Sequence, residues 1–165
     1  MKNKQLQPLL QGIDAVGNLS GVRFSYCMSK NRKLITAELE TLQEAIKPKE
    51  KFLEYDKERI ALCQKYADKE NGKPKMENNN FVITDRKEFE KEIEKLGKKF
   101  NAVLDEREKQ GKEFQELLEK ESSFVPFKLD YEEIPKDITA KQMDGIIELI
   151  KDPDQSKEDL ETNKK

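Results

Sequence analysis

Few side chains in this sequence have the types and spacing that catalysis or metal binding requires. The chain has no histidine and two cysteines, Cys27 and Cys63, so it lacks imidazole bases and the commonest nitrogen ligands of metals. The adjacent Glu132 and Glu133 could act as an acid–base pair, but with 34 acidic residues among 165 such neighbours arise by chance. We therefore predict that the protein is not an enzyme and has no catalytic, cofactor or metal site.

The two cysteines are interpreted as structural. If both lie on one helix, as the repeat described below predicts, Cys27 and Cys63 are too far apart for a disulfide, which requires Cα atoms within about 7 Å. A reduced thiol behaves as a small apolar side chain and is usually buried. We expect no redox or metal function from either cysteine.

A group of basic and aromatic side chains near the N-terminus is a candidate nucleic-acid surface. Lys30, Arg32 and Lys33 follow Phe24 and Tyr26, and surfaces that bind nucleic acids combine cations with stacking aromatics. Over the whole chain, however, 32 Lys and Arg nearly cancel 34 Asp and Glu, and the net charge is −2. Because interleaved acids repel phosphate, we favour a solvated helix face beside core aromatics and place nucleic-acid binding third among the functions.

The composition favours helices with narrow contacts over a thick core. Charged residues make up 40% of the chain and hydrophobic residues 35%, whereas an average domain has about 25% charge. The apolar residues must therefore be concentrated on seams between helices. No window approaches the roughly 18 apolar residues of a membrane span, and the first residues lack a secretory segment, so we expect a soluble protein with no membrane partner.

Two long helices are predicted from periodicity. Apolar residues at intervals of seven predict a supercoiled helix over 21–71, and intervals of three and four predict another over 85–121. The simplest packing is a long antiparallel coiled-coil hairpin in which Leu53 faces Val103 and Ala67 faces Phe89. The repeat of the first helix consists of Leu39, Ile46, Leu53, Ile60 and Ala67.

The predicted seam fails at the same level on both helices. Pro48 removes a backbone donor from the first helix, and because the repeat keeps its register across Pro48 we favour a kink over a break. In the antiparallel register Arg107 and Gln110 come opposite this level, and the nearby Gly111 lowers helix propensity by about 1 kcal/mol. We therefore predict a hinge or an inserted polar contact at Pro48, Arg107, Gln110 and Gly111.

Shorter elements complete a mainly α fold that we expect to form a single domain over 1–152. Thr139 and Gln142 form a capping box that opens a C-terminal helix, and residues 153–165 are predicted to be a disordered tail. The other predicted elements are an N-terminal helix over 1–17, a small β-hairpin over 73–84 at the tip of the helical hairpin, a strand over 124–131 and the C-terminal helix over 140–151.

The order of these elements carries a resemblance. The stretches concerned are Lys2-Asn3-Lys4-Gln5-Leu6, the segment from Tyr26 to Lys30-Asn31, the junction from Tyr66-Ala67-Asp68-Lys69-Glu70 to Phe81-Val82-Ile83-Thr84-Asp85, and Ile134-Pro135-Lys136-Asp137-Ile138 with the capped helix after it. In these stretches the chain resembles small, mostly uncharacterised proteins that tailed bacteriophages and prophages encode beside their structural genes. The resemblance implies a phage origin, in the host bacterial cytoplasm or the virion, and implies no catalytic residue. The layout of a helical hairpin with a β-tip is also similar to prefoldin-like chaperones, by analogy of architecture alone.

The leading hypothesis for function is a non-enzymatic phage protein that binds other proteins, as a virion component, an assembly chaperone or an adaptor. A two-helix seam leaves apolar residues off its main line, and self-association as a homo-oligomer, or a phage or host protein, would bury them. An inhibitor of a host defence protein is the alternative. The candidate interaction surface consists of Phe52, Tyr55, Tyr66, Met76 and Phe81.

Overall fold

The computed structural model describes residues 1–152, and they fall into two compact units. The first unit is formed by Met1–Ala45 and the described part of Gln115–Lys165, and the second by Ile46–Phe114. The fold is mainly helical, with two small antiparallel strand pairs and a C-terminal helix. The predicted tail over 153–165 lies outside the described residues.

The first unit contains helices α1 (Leu6–Ala15), α2 (Val22–Ile46) as far as Ala45, and α6 (Ala140–Ile146). A 3₁₀ turn at Asn3–Gln5 precedes α1, and another at Ile147–Leu149 follows α6. Helix α1 forms because its apolar residues recur at helical spacing, which places them on one buried face. The buried residues of this face are Leu6, Leu9, Ile13 and, just after the helix, Val16.

Helix α6 packs directly on α1, and the two helices come closest at Gly12 and Gly145. A Cβ built on Gly12 would lie 1.9 Å from the carbonyl oxygen of Gly145, so the backbones meet where neither residue has a side chain. The predicted capping box of α6 is confirmed: the backbone N–H of Gln142 donates to Thr139 Oγ1 at 3.3 Å, and the backbone N–H of Thr139 donates to Gln142 Oε1 at 3.0 Å.

The prediction of a strand over 124–131 is wrong. This segment has only one isolated bridge, between Leu129 and Ile150. A fully buried side chain on α2 takes the place of a neighbouring strand: Asn31 Nδ2 donates to the Phe127 carbonyl at 2.8 Å, and the Phe127 N–H donates to Asn31 Oδ1 at 2.8 Å. Pro126 has no N–H to donate to a neighbouring strand, so the segment does not pair along its length. The Asn31 side chain instead forms hydrogen bonds with the backbone N–H and carbonyl of Phe127.

The second unit contains α3 (Glu50–Tyr66), α4 (Arg86–Lys99) and α5 (Asn101–Glu119) as far as Phe114. The favoured kink at Pro48 is wrong, because α2 ends at Ile46 and α3 begins at Glu50. Proline disfavours helical geometry at the residue before it, here Lys47, and α2 ends one residue earlier. Lys49, after the proline, is extended, with φ −74° and ψ 156°. The predicted helix over 21–71 is therefore divided.

The predicted helix over 85–121 is divided as well, but at a different level from Gly111. Phe100, with φ −108° and ψ 18°, separates α4 from α5. The division is one distorted residue and not a loop, since the Phe100 N–H still donates to the Leu96 carbonyl at 3.1 Å.

Two tight turns follow α3, where the sequence predicts one hairpin. The first strand pair, β1 (Lys69–Glu70) and β2 (Lys73–Pro74), turns at Asn71-Gly72, and the second, β3 (Met76–Glu77) and β4 (Asn80–Phe81), turns at Asn78-Asn79. All four turn residues have positive φ, between 50° and 78°, as type I′ turns require. Asn71-Gly72 therefore turns a hairpin and does not end a helix, which stops five residues earlier at Tyr66.

Candidate functional site

An aromatic seam holds the second unit together, with α3 antiparallel to α4 and the start of α5. Tyr66 meets Phe89 with ring centroids 6.0 Å apart, and Tyr55 meets Phe100 at 5.7 Å. Phe52 meets Tyr55 on α3 at 5.8 Å. Phe52, Tyr55 and Tyr66, which the sequence predicts as part of a free surface, are instead half-buried in this seam.

The heptad residues of α3 are more exposed than predicted. Leu53 is 54% exposed and Ile60 is 38% exposed, although the repeat places both in the seam. The packed face of α3 is rotated away from them, because burying the large aromatic side chains removes more apolar area from water. Leu53 and Ile60 therefore form an apolar stripe on the outside of α3.

Polar side chains of α5 cap the end of α2 at the level of Pro48. Arg107 Nη1 donates to the Ile46 carbonyl at 2.6 Å, and Gln110 Nε2 donates to the Lys47 carbonyl at 3.1 Å. The last carbonyls of a helix have no helical partner. Arg107 satisfies that of Ile46, the last residue of the helix, and Gln110 satisfies that of Lys47, which follows it. The inserted polar contact that the sequence offers as an alternative to a hinge is therefore present in the structure.

Two further contacts surround this polar level. The Arg107 guanidinium lies 5.3 Å from the centroid of the Phe52 ring, within the range of a cation–π interaction. Lys49 pairs with Glu106, and the Lys49 ammonium lowers the pKa of the Glu106 carboxyl. Gly111 lies inside α5, and a Cβ built on it would meet nothing within 4 Å.

A groove lies between α3, α4 and the second strand pair of the second unit. Its volume is about 550 Å³. Phe81 of the predicted interaction surface lies in the groove, and Met76, 52% exposed, pairs with Phe81 across the strands. The apolar lining is Ile60, Cys63, Phe81, Ile83 and Phe89, and the polar rim is Arg59, Asn79, Asn80, Arg86 and Glu90.

The rim of the groove carries two arginines, of which one is paired with a carboxylate and the other is not. Arg59 binds Asp56 through two hydrogen bonds to one carboxylate oxygen, at 2.8 and 3.0 Å. Arg86 forms no ion pair with any residue in the described range 1–152. Arg86 is thus the rim cation available to an outside carboxylate.

Sequence reasoning missed Ile83 and Cys63 as groove residues. Val82-Ile83 is predicted only as strand, and Cys63 only as a buried thiol. Their convergence depends on the second turn at Asn78-Asn79, which brings the chain back over α3 and α4. The Asn-Asn pair is the one local signal for this return.

The two cysteines and Glu133, which the sequence offers as possible reactive groups, do not form a common site. Cys27, on α2, is fully buried and its thiol donates to the Phe127 carbonyl at 3.0 Å, and burial raises the pKa of that thiol. Cys63 lies on α3, so the two cysteines do not share one helix. Glu133 Oε1 is 2.9 Å from Arg23 Nε. Among residues 1–152, no group of three or more Cys, Asp or Glu side chains is placed to hold a metal ion.

The basic and aromatic group of α2 is engaged in contacts within the first unit. Phe24 is a core residue, Arg32 pairs with Asp14 at 2.6 Å, and the Lys30 ammonium lies 4.1 Å from the centroid of the Phe127 ring. These contacts hold two of the cations that a phosphate backbone would need. Lys33 is exposed.

Comparison of the chain with protein-family models, with curated proteins and with solved structures found no match. No helix in the described residues is both long and apolar enough to cross a bilayer. The likeness to proteins of tailed phages stays a prediction from the sequence. The function is therefore inferred from the surfaces themselves.

Proposed function

We propose that this is a non-enzymatic, phage-encoded protein that acts by binding another protein, as a virion component, an assembly chaperone or an adaptor. The observation that carries the proposal is the groove of the second unit. Its volume of about 550 Å³ lies within the range of roughly 300–1,000 Å³ that is usual for ligand pockets. An open apolar groove of this size accepts side chains of a partner.

Exposed apolar side chains extend the groove. Ile60 belongs to both the groove and the outer stripe of α3, and Met76 stands beside Phe81 on the neighbouring strand. Single exposed apolar residues are normal, but contiguous apolar surface with a polar rim marks interaction sites. A flexible Met side chain adapts to different partner shapes.

The charge of the rim indicates which partner fits. Arg86 is available at the edge of an apolar lining, and arginine is enriched at protein interfaces because it combines a fixed charge with apolar stacking surface. We expect a partner segment in which a carboxylate side chain follows one or two large apolar residues. Such a segment would fill the groove and pair with Arg86.

The proposal is tested by quantitative affinity capture from phage-infected cells with the full-length protein and three variants. Ile83→Asp places a charge in the groove and Arg86→Glu reverses the rim charge, whereas Val125→Asp adds the same charge at a 79% exposed position of the first unit. Loss of a central interface contact usually costs at least about 2 kcal/mol. We therefore expect each groove variant to lose the same virion or assembly protein by more than tenfold while Val125→Asp retains it.

Three outcomes would overturn parts of this proposal. A single host enzyme lost with the groove variants would replace the virion or assembly function by inhibition of a host defence protein. A partner retained by both groove variants would exclude the groove as the binding surface. Recovery of neither a phage nor a host protein would end the protein-binding proposal. Circular dichroism of each variant establishes that a loss of capture is not a loss of folding.

A further inference from the structure

Among the described residues, strand β4 pairs with β3 along one edge and with no strand along the other. Val82, the residue after β4, directs both of its backbone groups inward: its N–H donates to the Lys75 carbonyl at 3.0 Å, and its carbonyl accepts from the Asp68 N–H at 2.8 Å. Successive residues of an extended chain direct these groups to opposite edges. Phe81 and Ile83, on either side of Val82, therefore direct their N–H and carbonyl groups outward.

These outward groups have no hydrogen-bond partner in the part of the chain that the structure describes. Phe81 and Ile83 are both half-buried, and both line the groove. Alternate residues of a strand place their side chains on one face, so the same two residues supply apolar lining and a free backbone edge. The edge thus presents two N–H donors and two carbonyl acceptors beside the groove.

The free edge decides which kind of segment can fill the groove. A partner that covers Phe81 and Ile83 displaces water from their backbone groups, and a buried N–H or carbonyl left without a hydrogen bond is costly. A helical partner cannot replace that water, because its own backbone groups are bonded within the helix. An extended segment offers a donor and an acceptor at every second residue. A strand is therefore the occupant that satisfies this edge.

We propose that the partner binds as an extended segment that adds a strand to the free edge of β4 and places alternate apolar side chains in the groove. In this mode of recognition main-chain hydrogen bonds supply affinity and the pockets select the side chains. Arg86 follows three residues after Ile83 and forms no ion pair within residues 1–152, so an acidic residue at the end of the segment complements it. The inference rests on the proposed function and adds to it the conformation of the partner segment.

The probe for this proposal is a peptide selected on the protein itself. A library of random peptides displayed on yeast is enriched for binding to the full chain and depleted of peptides that still bind Ile83→Asp. We expect the remaining peptides to carry apolar residues at every second position and an acidic residue after or before them. Val125→Asp, which adds the same charge at an exposed position of the first unit, is expected to bind these peptides like the wild type.

Methylation of single backbone nitrogens of the selected peptide tests for a strand. An added strand directs only every second N–H at the edge of its neighbour. A methyl group on one of these nitrogens removes a hydrogen bond and blocks the edge, so we expect it to weaken binding to the wild-type protein by about tenfold or more. Methylation of the nitrogens between them is expected to leave binding nearly unchanged. The expected result is thus sensitivity with a period of two residues.

Amide hydrogen exchange followed by NMR tests the protein side of the contact without any substitution. In the free protein the Val82 N–H is expected to exchange more slowly than those of Phe81 and Ile83, because only the Val82 N–H is bonded within the chain. A saturating concentration of the selected peptide is expected to slow exchange at Phe81 and Ile83 by about tenfold or more. The Val125 N–H in the first unit is the control and is expected not to change.

Three results would overturn the inference. The first is a selection that yields no peptide lost on Ile83→Asp, and the second is a selected peptide whose sensitivity to methylation has no period of two. The third is protection of Phe81 and Ile83 that rises with protein concentration in the absence of peptide, since a second copy of the chain would then occupy the edge.

The inference and the proposed function can fail separately. If partner capture depends on the groove but no peptide adds a strand, the groove accepts a folded surface and only the inference fails. If a peptide pairs with the edge as described but capture from infected cells is unaffected by the groove variants, the proposed function fails and the strand site stands. The methylation and exchange measurements use the wild-type protein, so misfolding of Ile83→Asp cannot produce the expected result.

Discussion

Replacing Gly12 by alanine tests how the first unit is held together. A Cβ on Gly12 would lie 1.9 Å from the Gly145 carbonyl oxygen and 2.5 Å from its carbonyl carbon. Ordinary van der Waals contact begins at 3.4 Å, so α1 and α6 must move apart by at least 3.4 − 1.9 = 1.5 Å. The atoms in the way belong to backbone and cannot rotate aside.

The size of the effect follows from two opposing contributions. Overpacking and the loss of dispersion contacts around the buried Ile13 and Ile146 cost about 3–4 kcal/mol. Alanine gains about 1 kcal/mol over glycine in helix propensity. The net destabilisation of Gly12→Ala is therefore about 2–3 kcal/mol. Gly145→Ala, whose Cβ would lie 3.0 Å from Gly12 Cα, is expected to cost less.

Two matched controls carry the same substitution in open helix positions. A Cβ on Gly97 in α4 or on Gly111 in α5 meets nothing within 4 Å, so both variants are expected to gain about 0.5–1 kcal/mol. Urea unfolding followed by far-UV circular dichroism gives the free energy of unfolding and the m-value. If Gly12→Ala is as stable as the wild type, or is stabilised like the controls, the close helix crossing is refuted.

Two further predictions concern single side chains. Asn31→Ala leaves the Phe127 N–H without a side-chain partner and the Phe127 carbonyl with only the weak Cys27 thiol donor, and urea unfolding is expected to show a loss of about 1–3 kcal/mol. A change below about 0.5 kcal/mol, ordinary for a surface site, would contradict it. Thr84 donates to Asp68 and lowers the pKa of that carboxyl below its usual 3.8, so the ionised Asp68 stabilises the fold above that value and this stabilisation is lost as the pH falls through the lowered pKa. The Tm of the wild type should therefore fall more steeply on acidification than the Tm of Asp68→Asn. Asp137→Asn is the control. If the Tm of Asp68→Asn falls with pH as steeply as the Tm of this control, the assignment is contradicted.

Local rules explain which parts of the structure the sequence could predict. The capping box at Thr139 depends on residues three positions apart and is present as expected. The polar contact of Arg107 and Gln110 follows from an antiparallel register in which the seam fails on both helices at one level. The capping box can be predicted from residues close together in the sequence, and the polar contact from aligning the repeat of one helix with that of the other.

Longer-range contacts could not be predicted in this way. Asn31 satisfies Phe127 from 96 residues away, and nothing near Asn31 in the sequence distinguishes it from an exposed helix residue. The groove likewise needs two consecutive turns with positive φ to bring Phe81 and Ile83 over α3 and α4. The turn residues predict that the chain reverses direction, but the position of the strand pair on α3 and α4 depends on packing.

The error in the orientation of α3 has a physical meaning for function. Leu53 and Ile60 repeat at seven residues, and so do Phe52 and Tyr66 two repeats apart, so periodicity alone allows either stripe to face the partner helix. The rings of Phe89 and Phe100 decide the choice in favour of the aromatic stripe. A helix with one apolar stripe is satisfied by one partner, whereas α3 retains a second stripe after folding. The same ambiguity that defeats the sequence prediction therefore leaves Leu53 and Ile60 exposed on the outer face of α3.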